Sequence, residues 1–160
     1  ETPACGGALF RVRLPITTQV AQNTQNTSGY TPDDEAETRV LLLDDAPSVS
    51  DVLKEILEDA GYRVDIAHHA AQALILCGQQ AYQVILSDMR MPDMDGRAFY
   101  RALEGLHQKL ASRVIFLTGD TLNPDVALFI KETGCLCLEK PILPKDLLSQ
   151  IKCYSAKAPK

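Results

Sequence analysis

The sequence predicts an α/β domain, with five short strands alternating with five helices and a parallel sheet covered on both faces. Three observations predict it. Continuous apolar runs such as Val40–Leu43, Val84–Leu86 and Val114–Leu117 are too short for helices and have polar flanks, as buried strands do. Between the runs, apolar residues recur at helical spacing and stop at glycines. The runs also end on carboxylates, a hydroxyl and an ammonium, and open parallel sheets collect functional groups beyond the carboxyl ends of their strands.

Each element follows in order. Arg39-Val40-Leu41-Leu42-Leu43 is the first strand and runs into Asp44-Asp45. Val49, Val52, Leu53, Ile56, Leu57 and Ala60 mark a helix opened by Pro47 or Ser48 and stopped at Gly61. Arg63–Ile66 is a second strand. Ala70, Ala73, Leu74 and Cys77 mark a second helix, stopping at Gly78. Val84–Leu86 is the third strand, and Pro92 and Gly96 break regular structure after it. Phe99–Leu106 is a weaker helix containing Gly105. Val114–Leu117 is a fourth strand, followed by a helix over Val126–Thr133 with Thr121 or Asn123 as cap and Gly134 as its end. Cys135–Leu138 is a fifth strand, and Asp146, Leu147, Leu148 and Ile151 begin the last helix. Strict alternation of this kind implies right-handed crossovers between parallel strands.

Composition bounds the function. A chain of 160 residues, 46% hydrophobic and 23% charged, makes one ordinary domain with a tail. A net charge of −5 argues against direct nucleic-acid binding, which needs a basic face. No apolar run reaches bilayer length and no signal peptide is visible. A start at Glu1 rather than Met is expected of a piece of a longer protein. Cysteines at 5, 77, 135, 137 and 153 form no CxxC pair. Cys135 and Cys137 would share one face of a strand as buried small residues, a pattern that suits a reducing cytoplasm. Residues 19–38 are polar, with very few aliphatic side chains, and read as a linker.

The strand ends form a set: Asp44 and Asp45 after the first, Asp88 after the third, Thr118 with Gly119-Asp120 after the fourth, and Lys140-Pro141 after the fifth. Crowded carboxylates repel, and a divalent cation removes that cost. Oxygen-only ligands favour Mg²⁺ over Zn²⁺. A hydroxyl and an ammonium beside such a cation suit a phosphoryl group, and an aspartate can itself be the nucleophile.

These residues resemble a known family. Residues 39–157 are similar to the receiver domain of two-component response regulators. The resemblance rests on the acidic pair, the loop Asp88-Met89-Arg90-Met91-Pro92-Asp93-Met94-Asp95-Gly96, the Thr118-Gly119 step and Lys140-Pro141. It implies a flavodoxin-like sheet of strand order 2-1-3-4-5. It further implies that Asp88 is the phosphoacceptor, Asp45 and Asp88 bind Mg²⁺ directly, Asp44 does so through water, and the Arg90 backbone carbonyl completes the protein ligands. Thr118 and Lys140 would then bind the phosphoryl group, and a cis or strained Lys140–Pro141 bond is expected. The phosphoryl donor would be a phosphohistidine on a kinase dimerisation domain, with a histidine phosphotransfer protein as a further partner. The domain would catalyse only its own phosphorylation and dephosphorylation.

Cys137 departs from the family, which usually carries Tyr or Phe three residues before the lysine. A smaller phosphorylation-driven change is therefore expected on the face made by the fourth helix, fifth strand and last helix. Arg90 and Asp120, each two residues past a site residue, are expected to pair over the site and hinder water. His68-His69 and His107 are expected to be solvated.

Residues 1–18 include Gly6-Gly7-Ala8-Leu9-Phe10-Arg11-Val12-Arg13-Leu14-Pro15-Ile16, which alternates as an amphipathic strand. It resembles the closing strand of a histidine-kinase ATP-binding domain. Strand, linker and receiver together resemble the end of a hybrid sensor histidine kinase, whose parent could be membrane-anchored while this part is cytoplasmic. No nucleotide-binding glycine loop is present, so ATP binding is not expected of residues 1–160. The alternatives are the receiver of a separate response regulator, a binding-only receiver-like module and, third, a metal-dependent phosphohydrolase. That last class usually carries an acid where Arg90 stands.

Overall fold

A computed structural model describes residues 38–156. The arm and linker expected over 1–18 and 19–38 therefore lie, apart from Thr38, outside the described residues. The elements are β1 (Arg39–Leu43), α1 (Pro47–Asp59), β2 (Arg63–Ala67), α2 (Ala70–Gln79), β3 (Val84–Asp88), α3 (Gly96–Leu106), α4 (Gln108–Ala111), β4 (Val114–Thr118), α5 (Pro124–Thr133), β5 (Leu136–Glu139) and α6 (Pro144–Ala156). All strand pairs are parallel and the order is β2-β1-β3-β4-β5, as the sequence implied.

The inner strands β1, β3 and β4 are mainly apolar because both faces are covered, and their alternation sorts the core into two halves. Leu41, Leu43, Ile85, Val114 and Phe116 face Ala73 and Cys77 of α2, Phe99 and Leu103 of α3, Ala111 of α4 and Phe129 of α5. Val40, Leu42, Val84, Leu86, Ile115 and Leu117 face Leu53 and Leu57 of α1 and Leu147 and Ile151 of α6. Burying each leucine side chain of this kind stabilises the fold by about 1.5–3 kcal/mol. Tyr100, Phe116 and Phe129 meet in tilted and edge-on pairs with centroids 5.5–6.0 Å apart.

Helix ends show where local chemistry acted. Asn123 accepts the Asp125 N–H at 2.9 Å and Pro124 follows it, so Asn123, rather than Thr121, caps α5. Gly134, at φ +68°, ends that helix in the left-handed region. Gly61 does the same after α1 at φ +88°.

Gly78 does not stop α2. The helix runs on to Gln79, and Gln80 turns extended while its N–H still donates to Leu76. α3 begins at Gly96, earlier than Phe99, because Asp95 accepts the Ala98 N–H at 2.8 Å. α4 is a single turn, too short for periodicity to announce. β5 is shifted by one residue, to Leu136–Glu139, but Cys135 and Cys137 still lie on one side, against the same half of the core.

Candidate functional site

The carboxyl ends of β1, β3, β4 and β5 bring the expected residues together. Asp44 follows β1 and is fully buried. Its carboxylate is satisfied on both oxygens: Oδ1 accepts the Ala46 N–H at 2.9 Å, and Oδ2 accepts Lys140 Nζ at 3.0 Å. Asp88 is the last residue of β3, in register with Leu117 of β4. Its Oδ1 accepts the Arg90 N–H at 3.3 Å, and its Oδ2 lies 3.0 Å from Lys140 Nζ. Carboxylate oxygens of Asp44, Asp45 and Asp88 all lie within 4.8 Å of one another.

Lys140 therefore bridges two carboxylates of the cluster. Burial alone would lower the pKa of its ammonium, but the hydrogen bonds to Asp44 and Asp88 outweigh burial and raise it. The side chain thus stays cationic while only about a quarter exposed. Its backbone N–H donates to Thr118 O at 2.7 Å, which ties β5 to β4 at the site, and the Lys140–Pro141 peptide is cis. Thr118 ends β4, is buried, and its Oγ1 accepts the Asp120 N–H at 3.1 Å.

Gly96 begins α3 directly against this edge. Its N–H donates to Met89 O at 3.0 Å, and a Cβ there would meet Asp88 O at 2.7 Å. Only glycine lets the helix approach the strand end that carries Asp88.

Arg90 and Asp120 pair, with Nη2 to Oδ2 at 2.5 Å. Cys137 is half-buried beside Phe116 in the register of β4 and β5, and burial pushes its thiol pKa up. Of the histidines, His69 and His107 are solvent-exposed as expected and His68 departs. His68 is half-buried, and its Nδ1 lies 3.1 Å from Asp44 O. His69 is exposed but pairs with Asp93 at 3.2 Å. His107 is exposed between α3 and α4. No sequence signal pointed to the His68 contact, because 24 residues and a strand crossover separate the two groups.

The site thus gathers three carboxylates and an ammonium at the carboxyl ends of the strands. The sequence profile of the response regulator receiver domain matches residues 40–152. The chain belongs to the response regulator receiver domain family. As a receiver domain it is a module of two-component signalling.

The receiver is 33% identical over 122 residues to the two-component response regulator ARR11 of Arabidopsis thaliana, covering 75% of this chain and 22% of that one. It is 26% identical to the sensor histidine kinase RcsC of Salmonella typhi over 161 aligned positions, covering 100% of this chain and 16% of that one. A CheY-like receiver domain protein from Methanospirillum hungatei JF-1 superposes with a TM-score of 0.70 at 29% identity, covering 76% of this chain and 96% of that one. The chain thus spans about a fifth of ARR11 and less of RcsC. No helix among the described residues is long and apolar enough to cross a membrane.

Proposed function

We propose that this receiver accepts a phosphoryl group on Asp88 from a phosphohistidine in a Mg²⁺-dependent phosphorelay. The observation that carries this reading is Lys140 Nζ held 3.0 Å from both Asp44 and Asp88, beside buried Thr118. An Asp88 carboxylate oxygen attacks phosphorus, the P–N bond breaks, and the histidine nitrogen keeps the electron pair.

The donor set fits Mg²⁺: three clustered carboxylates with neither imidazole nor thiolate among them. Asp45, Asp88 and the Arg90 carbonyl would hold the ion directly, and Asp44 through water. Bound there, Mg²⁺ neutralises the acidic set and the charge developing on the phosphoryl oxygens.

The chain's own groups do the rest. Ala46 N–H fixes Asp44. Among the described residues the Thr118 hydroxyl only accepts, from the Asp120 N–H, and its proton can be donated to a phosphoryl oxygen. Lys140 exchanges its contact with Asp88 for one with the transferred group. Cys137 offers no ring to swing inward, so the response on the α5–β5–α6 face is small.

The parent is a hybrid sensor histidine kinase, and residues 1–18 and 19–38 are the end of its ATP-binding domain and a linker. What supports this is the RcsC alignment, which runs the length of the chain, whereas that to ARR11 covers three quarters. A histidine phosphotransfer protein is the downstream acceptor. Coding sequence for a glycine-rich ATP lid upstream of Glu1 tests the parentage.

The chemistry is tested by incubating the protein with acetyl phosphate, or with a phosphorylated kinase, and Mg²⁺. An acid-stable, alkali-labile phosphoryl label is expected on wild type and absent from Asp88→Asn. A wild type that never labels leaves only a binding module.

A further inference from the structure

The two acids after β1 are held in different ways. Asp44 has a partner for each carboxylate oxygen. Asp45 is half-buried, and among the described residues its side chain forms no hydrogen bond or ion pair. Only its backbone brings its carboxylate into the cluster.

That backbone is pinned from the end of β2 and from the first residue of the loop after it. Asp44 N–H donates to Ala67 O at 3.2 Å, and Asp44 O lies 3.1 Å from His68 Nδ1. A carbonyl oxygen only accepts, so Nδ1 carries the proton. Asp44 C=O belongs to the planar peptide unit whose nitrogen is that of Asp45. Holding the oxygen constrains the plane of that unit, and with it the position of the Asp45 Cα from which the side chain departs. His68 is itself tethered, because its backbone N–H donates to Gln72 Oε1 in the first turn of α2, at 3.2 Å.

We infer that His68 is a positioning residue for the metal-binding acids, orienting the Asp44–Asp45 peptide so that Asp45 meets a cation without rearrangement. This inference rests on the proposed Mg²⁺ site. Hydrogen bonds behind metal ligands are worth about ten- to a hundredfold in metal affinity. His68 reaches the ligand through a peptide plane, which puts its effect at the lower end, about tenfold.

The test is Mg²⁺ binding by titration calorimetry on wild type, His68→Ala and His68→Asn. Asn Nδ2 stands as many bonds from Cβ as His Nδ1 and donates an N–H. His68→Ala should weaken Mg²⁺ about tenfold while its labelling rate at saturating Mg²⁺ stays at the wild-type value, and His68→Asn should bind within about twofold of wild type. Equal affinity in all three overturns the inference, and so does an equal loss in both variants, which would mean that ring packing is what matters.

If His68→Ala does not fold, His68→Asn still decides, together with the tautomer of the Mg²⁺-free wild type read by long-range ¹H–¹⁵N correlation. A bare Nδ1 overturns the inference. A wild type that binds no Mg²⁺ defeats the proposed function, and this inference falls with it. A wild type that binds and labels, with an indifferent His68→Ala, defeats only the inference.

Discussion

Arg90 Nη2 lies 2.5 Å from Asp120 Oδ2, joining the loop after β3 to the loop after β4 two residues beyond Asp88 and Thr118. The pair is exposed, Arg90 at 69%, so it adds at most about 1 kcal/mol to any process it influences. Its place across the two loops makes it a screen against water approaching a phosphorylated Asp88. Arg90→Ala should therefore speed the decay of phospho-Asp88, by no more than about fivefold. The thermal midpoint should hardly move. Label lost over time after removal of the donor measures this, and an unchanged decay rate means the pair is only a solvated contact.

Lys140 carries a larger share of the metal-free state. Asp44 is fully buried, and removing the ammonium beside it leaves a desolvated carboxylate next to Asp88. Breaking a fully buried pair costs about 3–5 kcal/mol, and the partial exposure of Lys140 lowers this to roughly 2 kcal/mol. Lys140→Ala should therefore lower the urea midpoint without Mg²⁺, and saturating Mg²⁺ should recover much of the loss. A deficit that Mg²⁺ leaves untouched would show that the ion does not sit among these acids.

The inner strands and the residues at their ends were legible in the sequence because burial on both faces writes β1, β3 and β4 as apolar runs. The polar residue that ends each run is then conspicuous: Asp44, Asp88, Thr118, Lys140. What stayed hidden has local or long-range causes. Gly78 looks like a stop, but the Gln80 N–H still finds Leu76 O, so the helix runs one residue further. α4 is shorter than one period of the pattern that would reveal it. His68 reaches Asp44 only because β2 lies beside β1 in register, Ala67 against Leu43, and no spacing along the chain encodes that. Asp120 was legible as a partner of Arg90 because each sits two residues past a strand end on adjacent strands.

The cysteines divide by burial. Burial pushes the Cys77 thiol up to about 11 and raises those of Cys135 and Cys137, while Cys153 on α6 is exposed. The reactive species is the thiolate. At pH 8 the shift from 9.0 to about 11 alone cuts the Cys77 thiolate about a hundredfold below that of an ordinary thiol. Because folding raises this pKa, the stability linked to the neutral thiol is complete below about 9 and is lost as pH rises through about 11. Iodoacetamide at pH 8, followed by peptide mapping, should label Cys153 well before Cys77. Comparable rates would mean that α2 opens readily.

Two glycines of one helix should respond in opposite directions to the same substitution. In Gly96→Ala the new methyl meets Asp88 O at 2.7 Å, Met89 Cα at 3.1 Å and Phe116 Cε1 at 3.3 Å. Two of these are backbone atoms, so α3 must move away from the end of β3 at a cost of about 1–3 kcal/mol. The displaced strand end is the one that positions Asp88 against Lys140, so both Mg²⁺ affinity and labelling rate should fall. At Gly105 nothing lies within 4 Å of the added Cβ, and the residue sits inside the same helix with no positive φ. Gly105→Ala should raise stability by about 0.4–1 kcal/mol by restricting the unfolded chain, and leave labelling unchanged. Urea midpoints of the two variants, read beside their labelling rates, separate a helix effect from a site effect. If Gly96→Ala folds and labels as wild type does, the close approach of α3 to Asp88 is not what sets the site.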